Sequence, residues 1–292
     1  MGDRAHIAAD LRFNIHSQKS LEHYDPADRC GFAGKAAAQT KLEADVVSMS
    51  ALQDILSAQK RYGVLIALQG IDTAGKDGAV KHVMSGVNAQ GVSVHSFQAP
   101  TIEELRHDYL WRCARVLPER GRIGIFNRSY YEDVLVTRAH PRLLEEDQAA
   151  AQSNGDEFWE KRYRDINRFE RYLARNRIVT IKCFLHLSKG EQRRRLIERL
   201  DNPTKQWKFS PSDLSERPFW DEYAKVYEQM LRATSTAIAP WYVIPADRKW
   251  VARLAIADIV VHVLSTLDLA YPPLSDDMRA AIERARKELE PD

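Results

Sequence analysis

Cysteine is scarce in this chain. Cys30, Cys113 and Cys183 are the whole supply, and no two lie close together. An odd, scattered set speaks against a disulfide framework or a zinc site and fits a reducing, cytoplasmic setting. An excess of one charge is missing too: 43 Lys and Arg against 41 Asp and Glu leave a net charge of +2. Total charge therefore gives no reason to expect a nucleic-acid partner. No stretch approaches the ~20 apolar residues that span a bilayer. Arg4, Asp10 and Arg12 interrupt the opening segment, where a secretory leader would carry its apolar core. The expectation is a cytoplasmic protein with neither membrane nor nucleic acid as partner. No internal repeat is visible.

What is present is ordinary for a globular enzyme: 292 residues, 44% hydrophobic and 29% charged. Residues 1–40 are mixed and rich in Asp, Gly and Ala, and read as an extension lying over the body. Leu42, Val46, Met49, Leu52 and Leu56 recur every three or four positions, which predicts an amphipathic helix to about Lys60. Val64–Leu68 is a continuous apolar run ending at glycine, the pattern of a strand buried on both faces. Further strands are predicted at Val92–Phe97, Ile123–Phe126, Ile178–Leu187 and Trp241–Ile244. Helices are predicted at Ala79–Met84, Phe158–Asn176, Ser188–Leu200, Phe219–Thr234 and Trp250–Leu267. Thr101 and Glu104 form a capping-box pattern that predicts one helix running to Pro118. The acidic stretch 145–157, with Asn154-Gly155, reads as a surface loop. Strands alternating with helices imply βαβ units, hence a three-layer α/β/α fold around a five-stranded parallel sheet. The expected division is an extension at 1–40 and one domain at 41–292.

The sharpest signal is Gly70-Ile71-Asp72-Thr73-Ala74-Gly75-Lys76-Asp77-Gly78, a G-x-x-x-x-G-K pattern (the Walker A form) between a strand and a helix. In such a loop backbone N–H groups cradle phosphate oxygens, glycines allow close approach, and the lysine adds a full charge. Asp77 stands where Ser or Thr usually holds magnesium. Its carboxylate can also hold a metal, with Asp72 as a second ligand, or it can simply favour the helix N-terminus.

Phe126-Asn127-Arg128-Ser129-Tyr130-Tyr131-Glu132-Asp133 leaves the third strand at the edge where open parallel sheets bind ligands. Arg128 is placed to neutralise a transferring phosphoryl group. Glu132 and Asp133 can approach metal or acceptor; the plainer reading of Arg128 and Glu132 is a salt bridge that shapes a turn. Arg193, Arg194, Arg195, Arg199, Lys205 and Lys208 crowd a segment that falls where a kinase lid belongs, at about 189–217. Of these, Arg199, Lys205 and Lys208 look directed at phosphates, and Arg193 and Arg194 suit a solvated helix face. Trp207 and Phe209 among lysines could stack bases, but no nucleic-acid motif accompanies them. Arg112, behind His107 and Asp108, either faces an acceptor or belongs to a helix surface or buried polar pair.

The strings G-I-D-T-A-G-K-D-G at 70–78, F-N-R-S-Y-Y-E-D at 126–133 and P-T-K-Q-W-K at 203–208 resemble the polyphosphate kinase 2 family. The likeness extends to 100–112 and 239–250 and covers about residues 25–265. It implies a thymidylate-kinase-like phosphate-loop fold with a helical lid. The implied activity is reversible phosphoryl transfer between inorganic polyphosphate and AMP, ADP or ATP. It also implies Mg2+, with Mn2+ as a substitute, and a homo-oligomer, dimer or tetramer. Carried to matching positions, Asp72, Lys76, Asp77 and Arg128 are catalytic, Gly70, Thr73, Ala74, Gly75 and Gly78 complete the phosphate loop, and Asp72 and Asp77 hold the metal. Arg199, Lys205 and Lys208 bind polyphosphate from the lid, and Asn127, Glu132 and Asp133 serve the nucleotide acceptor; Arg112 joins them on the acceptor reading of its own stretch. Members acting on nucleoside diphosphates typically show F-D-R-S-W-Y-N. Asn127 and Glu132 depart from that string and resemble the class III branch, which takes both AMP and ADP. An ATP-dependent nucleoside monophosphate kinase shares fold, loop and lid. A regulatory nucleotide switch would need a guanine-reading N-K-x-D motif, which the chain lacks.

Overall fold

The computed structural model describes residues 7–15, 20–140 and 155–289. A short α1 (Ala8–Leu11) precedes the long α2 (Lys35–Gln59). β1 (Gly63–Gln69) passes through the glycine loop into α3 (Lys76–Val83). β2 (Val92–Ser96) leads through α4 (Trp111–Ala114) to β3 (Ile123–Asn127) and α5 (Glu132–Ala139). Then come α6 (Asp156–Arg175), β4 (Ile178–His186), α7 (Lys189–Asp201), α8 (Pro211–Ser215) and α9 (Trp220–Thr234). β5 (Trp241–Pro245), α10 (Lys249–Thr266) and α11 (Asp276–Leu289) close the described order.

The five strands form one parallel sheet in the order β2-β3-β1-β4-β5. Every residue of the central β1 is buried. Alternation along the strand divides its side chains between two cores. Val64, Ile66 and Leu68 face a core shared with α2, α3 and α10. Leu65 faces the other, with Phe126, Tyr130, Tyr131 and residues of α6 and α9. Helices on both faces of a parallel sheet make the three-layer α/β/α arrangement of phosphate-loop kinases. In register, Leu68 of β1 lies beside Asn127 of β3 and Cys183 of β4, so the carboxyl ends of the central strands reach one edge together. Among the described residues no helix is long and apolar enough to cross a membrane.

Two boundaries differ from the sequence expectation. α2 begins at Lys35 rather than Leu42. Its first turns, Lys35-Ala36-Ala37-Ala38-Gln39, are good helix formers with only Ala38 buried, so they carry no apolar period to detect. Residues 40 and 41 therefore sit inside one helix. The helix expected from Thr101 to Pro118 is not continuous. Its capping box forms, with Thr101 N–H donating to Glu104 at 2.8 Å and Glu104 N–H to Thr101 Oγ1 at 3.2 Å. Only a 3-10 turn at Glu104–Arg106 follows, and His107 is extended. The Asp108 carboxylate then accepts from Leu110 N–H at 3.0 Å, a local turn bond that competes with helix continuation.

Residues 7–13 pack against β5 and α10. Ile7, Leu11 and Phe13 are buried, Arg12 bridges Tyr242 antiparallel, and Phe13 N–H donates to Trp241 O at 2.8 Å. Asp258 of α10, fully buried, accepts from Ile7 N–H at 2.8 Å and pairs with Lys41 at 2.9 Å. Most of the expected acidic loop at 145–157 lies outside the described residues; Asp156 and Glu157 open α6.

Candidate active site

The glycine loop leaves β1 at the carboxyl edge of the sheet. Gly70 takes φ +154°, and a Cβ there would meet Leu185 O at 2.8 Å. Gly75, at φ +104°, turns the chain into α3. Both positions need glycine for a conformation that L side chains rarely adopt. Thr73 adopts φ +67° all the same, a strained value for a β-branched residue.

Lys76 opens α3 and folds back over the loop. Its Nζ donates to Gly70 O at 2.6 Å. Burial first, and then the nearby Arg128 charge, lower its pKa to about 8, with Asp72 acting in the opposite direction. Across the crevice Arg128 takes φ +64°, which swings its side chain out of line with β3. The guanidinium donates to Asp72 Oδ1 at 2.5 Å and to Glu132 Oε2 at 3.1 Å. Asn127 donates to Asp77 Oδ1 at 2.7 Å. A carboxylate at position 127 would set two negative oxygens against each other there; the amide supplies a donor instead. The structure thus brings Asp72, Lys76, Asp77, Asn127, Arg128 and Glu132 into one cluster.

The lid cations are sorted by contact. Lys208 Nζ lies 3.6 Å from Asp77 Oδ2, which puts the lid directly over the loop. Arg199 is turned inward, donating to Asp213 at 2.7 Å and to Lys208 O at 3.0 Å, so it braces the lid. Lys205 pairs with Glu198 at 2.5 Å. Arg112 donates to Gln98 O at 3.0 Å and its guanidinium stands 5.2 Å from the centre of the Phe97 ring. Asp133 lies near Arg112 and Arg162, yet burial outweighs both and pushes its carboxyl up to about 6. His107 stacks on Trp111 at 3.8 Å, a local contact.

Several residues that shape the site escaped the sequence reading. Beneath the Tyr130-Tyr131 pair lies a buried ion pair, Lys182 Nζ to Glu170 Oε2 at 2.7 Å. Both tyrosine hydroxyls donate to Glu170 Oε1, at 2.9 and 2.8 Å, and Lys182 also donates to Thr234 O at 2.7 Å. This network pins the segment that presents Arg128 and Glu132. With its nitrogen toward Glu132, the Gln69 amide donates at 2.8 Å and accepts from the Ser129 hydroxyl and N–H, both at 3.0 Å. A signal existed for the buried pair. Lys182 is the one charge in an apolar strand, and Glu170 falls on the core-facing stripe Trp159, Tyr163, Ile166, Leu173.

Among the described residues no three His, Cys, Asp or Glu side chains converge as a metal cage. Magnesium does not require one, since it commonly takes one or two carboxylates and fills its shell with water and substrate phosphates. Asp72 and Asp77, placed at this edge by their bonds to Arg128 and Asn127, are the carboxylates that could supply them.

Fold, loop and cation cluster define a phosphotransferase of the phosphate-loop kinase class. The model of the Polyphosphate kinase 2 (PPK2) family matches residues 33–272, and the chain belongs to that family. It is 47% identical over 249 residues to an ADP-polyphosphate phosphotransferase of Rhodopseudomonas palustris, covering 85% of this chain and 86% of that one. It is 45% identical over 253 residues to an AMP/ADP-polyphosphate phosphotransferase of Meiothermus ruber, covering 86% of this chain and 91% of that one. Among solved structures, Polyphosphate Kinase 2 from Arthrobacter aurescens TC1 superposes with a TM-score of 0.87 at 39% identity, over 97% of both chains.

Proposed function

We propose that this chain moves phosphoryl groups reversibly between inorganic polyphosphate and adenine nucleotides, taking AMP to ADP and ADP to ATP. The observation that carries the reading is the meeting of Lys76, Arg128 and the glycine loop at one edge of a parallel sheet, in a chain of the polyphosphate kinase 2 family. The Meiothermus ruber relative, named for both AMP and ADP, supports the pair of acceptors, as do Asn127 and Glu132.

The division of labour follows from charge. The first N–H groups of α3 have no carbonyl partner within the helix and point at the phosphates. Lys76 and Arg128 neutralise the equatorial oxygens of the flattening phosphoryl group. Glu132 and Asp72 hold Arg128 at the mouth of the crevice until a phosphate oxygen takes the place of Asp72. Lys208 carries the polyphosphate chain from the lid side, and Arg199 and Lys205 keep the lid in shape. Arg112 and Asp133 flank the acceptor. The acceptor phosphate is itself an anionic nucleophile, so orientation in line matters more than a general base. Bound magnesium, held by Asp72 and Asp77, would screen the charge of both phosphate chains. We place the enzyme in the cytoplasm as a homo-oligomer, which size-exclusion chromatography with light scattering tests.

The direct test supplies long-chain polyphosphate and magnesium with AMP or ADP in separate reactions and follows ADP and ATP by chromatography. Product from both acceptors is the expected result. Product from ADP alone removes the AMP half. Turnover only when ATP replaces polyphosphate overturns the donor.

A further inference from the structure

We propose that Arg195 is a positioning residue for phosphoryl transfer, holding the phosphate loop in shape from its outer side. It sits on α7, the helix that leads into the lid, and its side chain is 4% exposed. Its neighbour Arg194 is 61% exposed, so the run of three arginines is not one solvated face. The Arg195 guanidinium has five N–H donors, and each has a carbonyl or carboxylate partner. Nη1 donates to Thr73 O at 2.9 Å and Ala74 O at 3.0 Å, both in the phosphate loop. Nη2 donates to Ala246 O at 2.5 Å and Asp247 O at 3.2 Å, beyond the end of β5. Nε donates to Glu191 at 2.7 Å.

The consequence follows from peptide geometry. In a planar trans peptide the C=O and N–H point in opposite directions. Drawing the Thr73 and Ala74 carbonyls toward Arg195 turns the Ala74 and Gly75 N–H groups the other way. Gly75 N–H thereby points into the loop, beside the first N–H groups of α3. A fixed positive charge behind the carbonyls also strengthens the peptide dipoles that meet the anion. Thr73 at φ +67° lies within the clamped stretch, so the strained backbone has an identifiable restraint. On the same helix face, Gln192 donates to Asp72 O at 3.4 Å, and Ser188, the α7 N-cap, donates from Oγ to Asp247 at 2.8 Å. Loop, lid root and the end of β5 are thus fastened together through one guanidinium. Lysine has three donors on one nitrogen and cannot span these acceptors.

This inference rests on residues 70–78 being the phosphate cradle, so the experiment separates the two. Tripolyphosphate and AMP are titrated individually by calorimetry, without turnover, into wild type, Lys76→Ala, Arg195→Lys and Arg195→Ala. The clamp predicts that both Arg195 variants keep wild-type circular dichroism and lose about tenfold or more in tripolyphosphate affinity. AMP affinity stays within about twofold, and guanidinium ion added to Arg195→Ala restores part of the loss. Unchanged tripolyphosphate binding in folded Arg195 variants overturns the clamp. So does parallel loss of both ligands with loss of fold in both variants, which makes Arg195 a scaffold residue only. If Lys76→Ala binds tripolyphosphate like wild type, the cradle reading itself fails, whatever the Arg195 variants do.

Discussion

Two ion pairs flank the Asn127–Asp133 segment, and they are built for opposite purposes. Lys182 and Glu170 are 0% and 1% exposed, and both are surrounded by further hydrogen-bond partners. Arg128 and Asp72 are 35% and 34% exposed, at the mouth of the crevice. The first pair is closed to solvent and substrate; breaking it leaves a buried charge with no water to receive it. The second can exchange partners, because a phosphate oxygen offers Arg128 what Asp72 offers now. Burial, more than the length of either contact, separates an enclosed pair from one open to ligands.

The largest effect that would sharpen this contrast is at the reactive side. Lys76→Ala should lower phosphoryl transfer by about a thousandfold or more while the fold, read by circular dichroism, stays intact. Retained turnover would remove Lys76 from the chemistry. On the scaffold side, Lys182→Met should cost about 3–5 kcal/mol in denaturant unfolding, with the Glu170→Leu/Lys182→Met double variant recovering part of it. A double variant no better than the single would break the contrast, because the damage would then not come from an uncompensated charge. Asp77→Asn should raise the magnesium concentration needed for half-maximal rate about tenfold. Identical metal titrations would take Asp77 out of the metal site.

A smaller effect is expected with pH. Burial holds Lys76 near a pKa of about 8 against an ordinary 10.5. Its proton, and the charge that attracts phosphate, is lost as pH rises through about 8, so kcat/KM for polyphosphate should fall on the alkaline side. Stability carries the opposite sign. Between about 8 and 10.5 the unfolded chain binds this proton and the folded chain does not, so the Lys76 contribution makes folding more favourable as pH rises across that window. A kcat/KM profile flat from pH 7 to about 9.5 would contradict the assignment. Smallest of all, Arg194→Ala should change stability by less than about 0.5 kcal/mol, since its exposed pair with Glu191 is screened by water.

Much of the fold was legible because its signals are local. The run Val64–Leu68 announces a strand covered on both faces, and Gly70 and Gly75 announce the turn conformations around it. The alternation of apolar strands with amphipathic helices leads to the parallel sheet. Less legible were features decided by competition. The Thr101–Glu104 capping box formed, yet the chain turns extended at His107 and Asp108 takes Leu110 N–H in a local turn bond, so no continuous helix follows. At the site, residue type pointed to Asp72, Lys76, Asp77 and Arg128, which meet at one edge. The lid cations were alike in sequence and differ in space: Lys208 reaches Asp77, whereas Arg199 and Lys205 are held by lid carboxylates.

By itself the sequence determined what each segment is: the glycine loop, the strand edge that follows, the basic helix and the family string that joins them. These depend on neighbours within about ten positions, where backbone propensity and side-chain spacing act. Only the tertiary structure decided which charges are buried and which partner each one meets. Lys182 finds Glu170, and Arg195 reaches across more than a hundred positions to the phosphate loop. Burial and long-range pairing depend on how layers pack: the apolar strand marks Lys182 as enclosed, but no local pattern names Glu170 as its partner or separates buried Arg195 from its exposed neighbour Arg194.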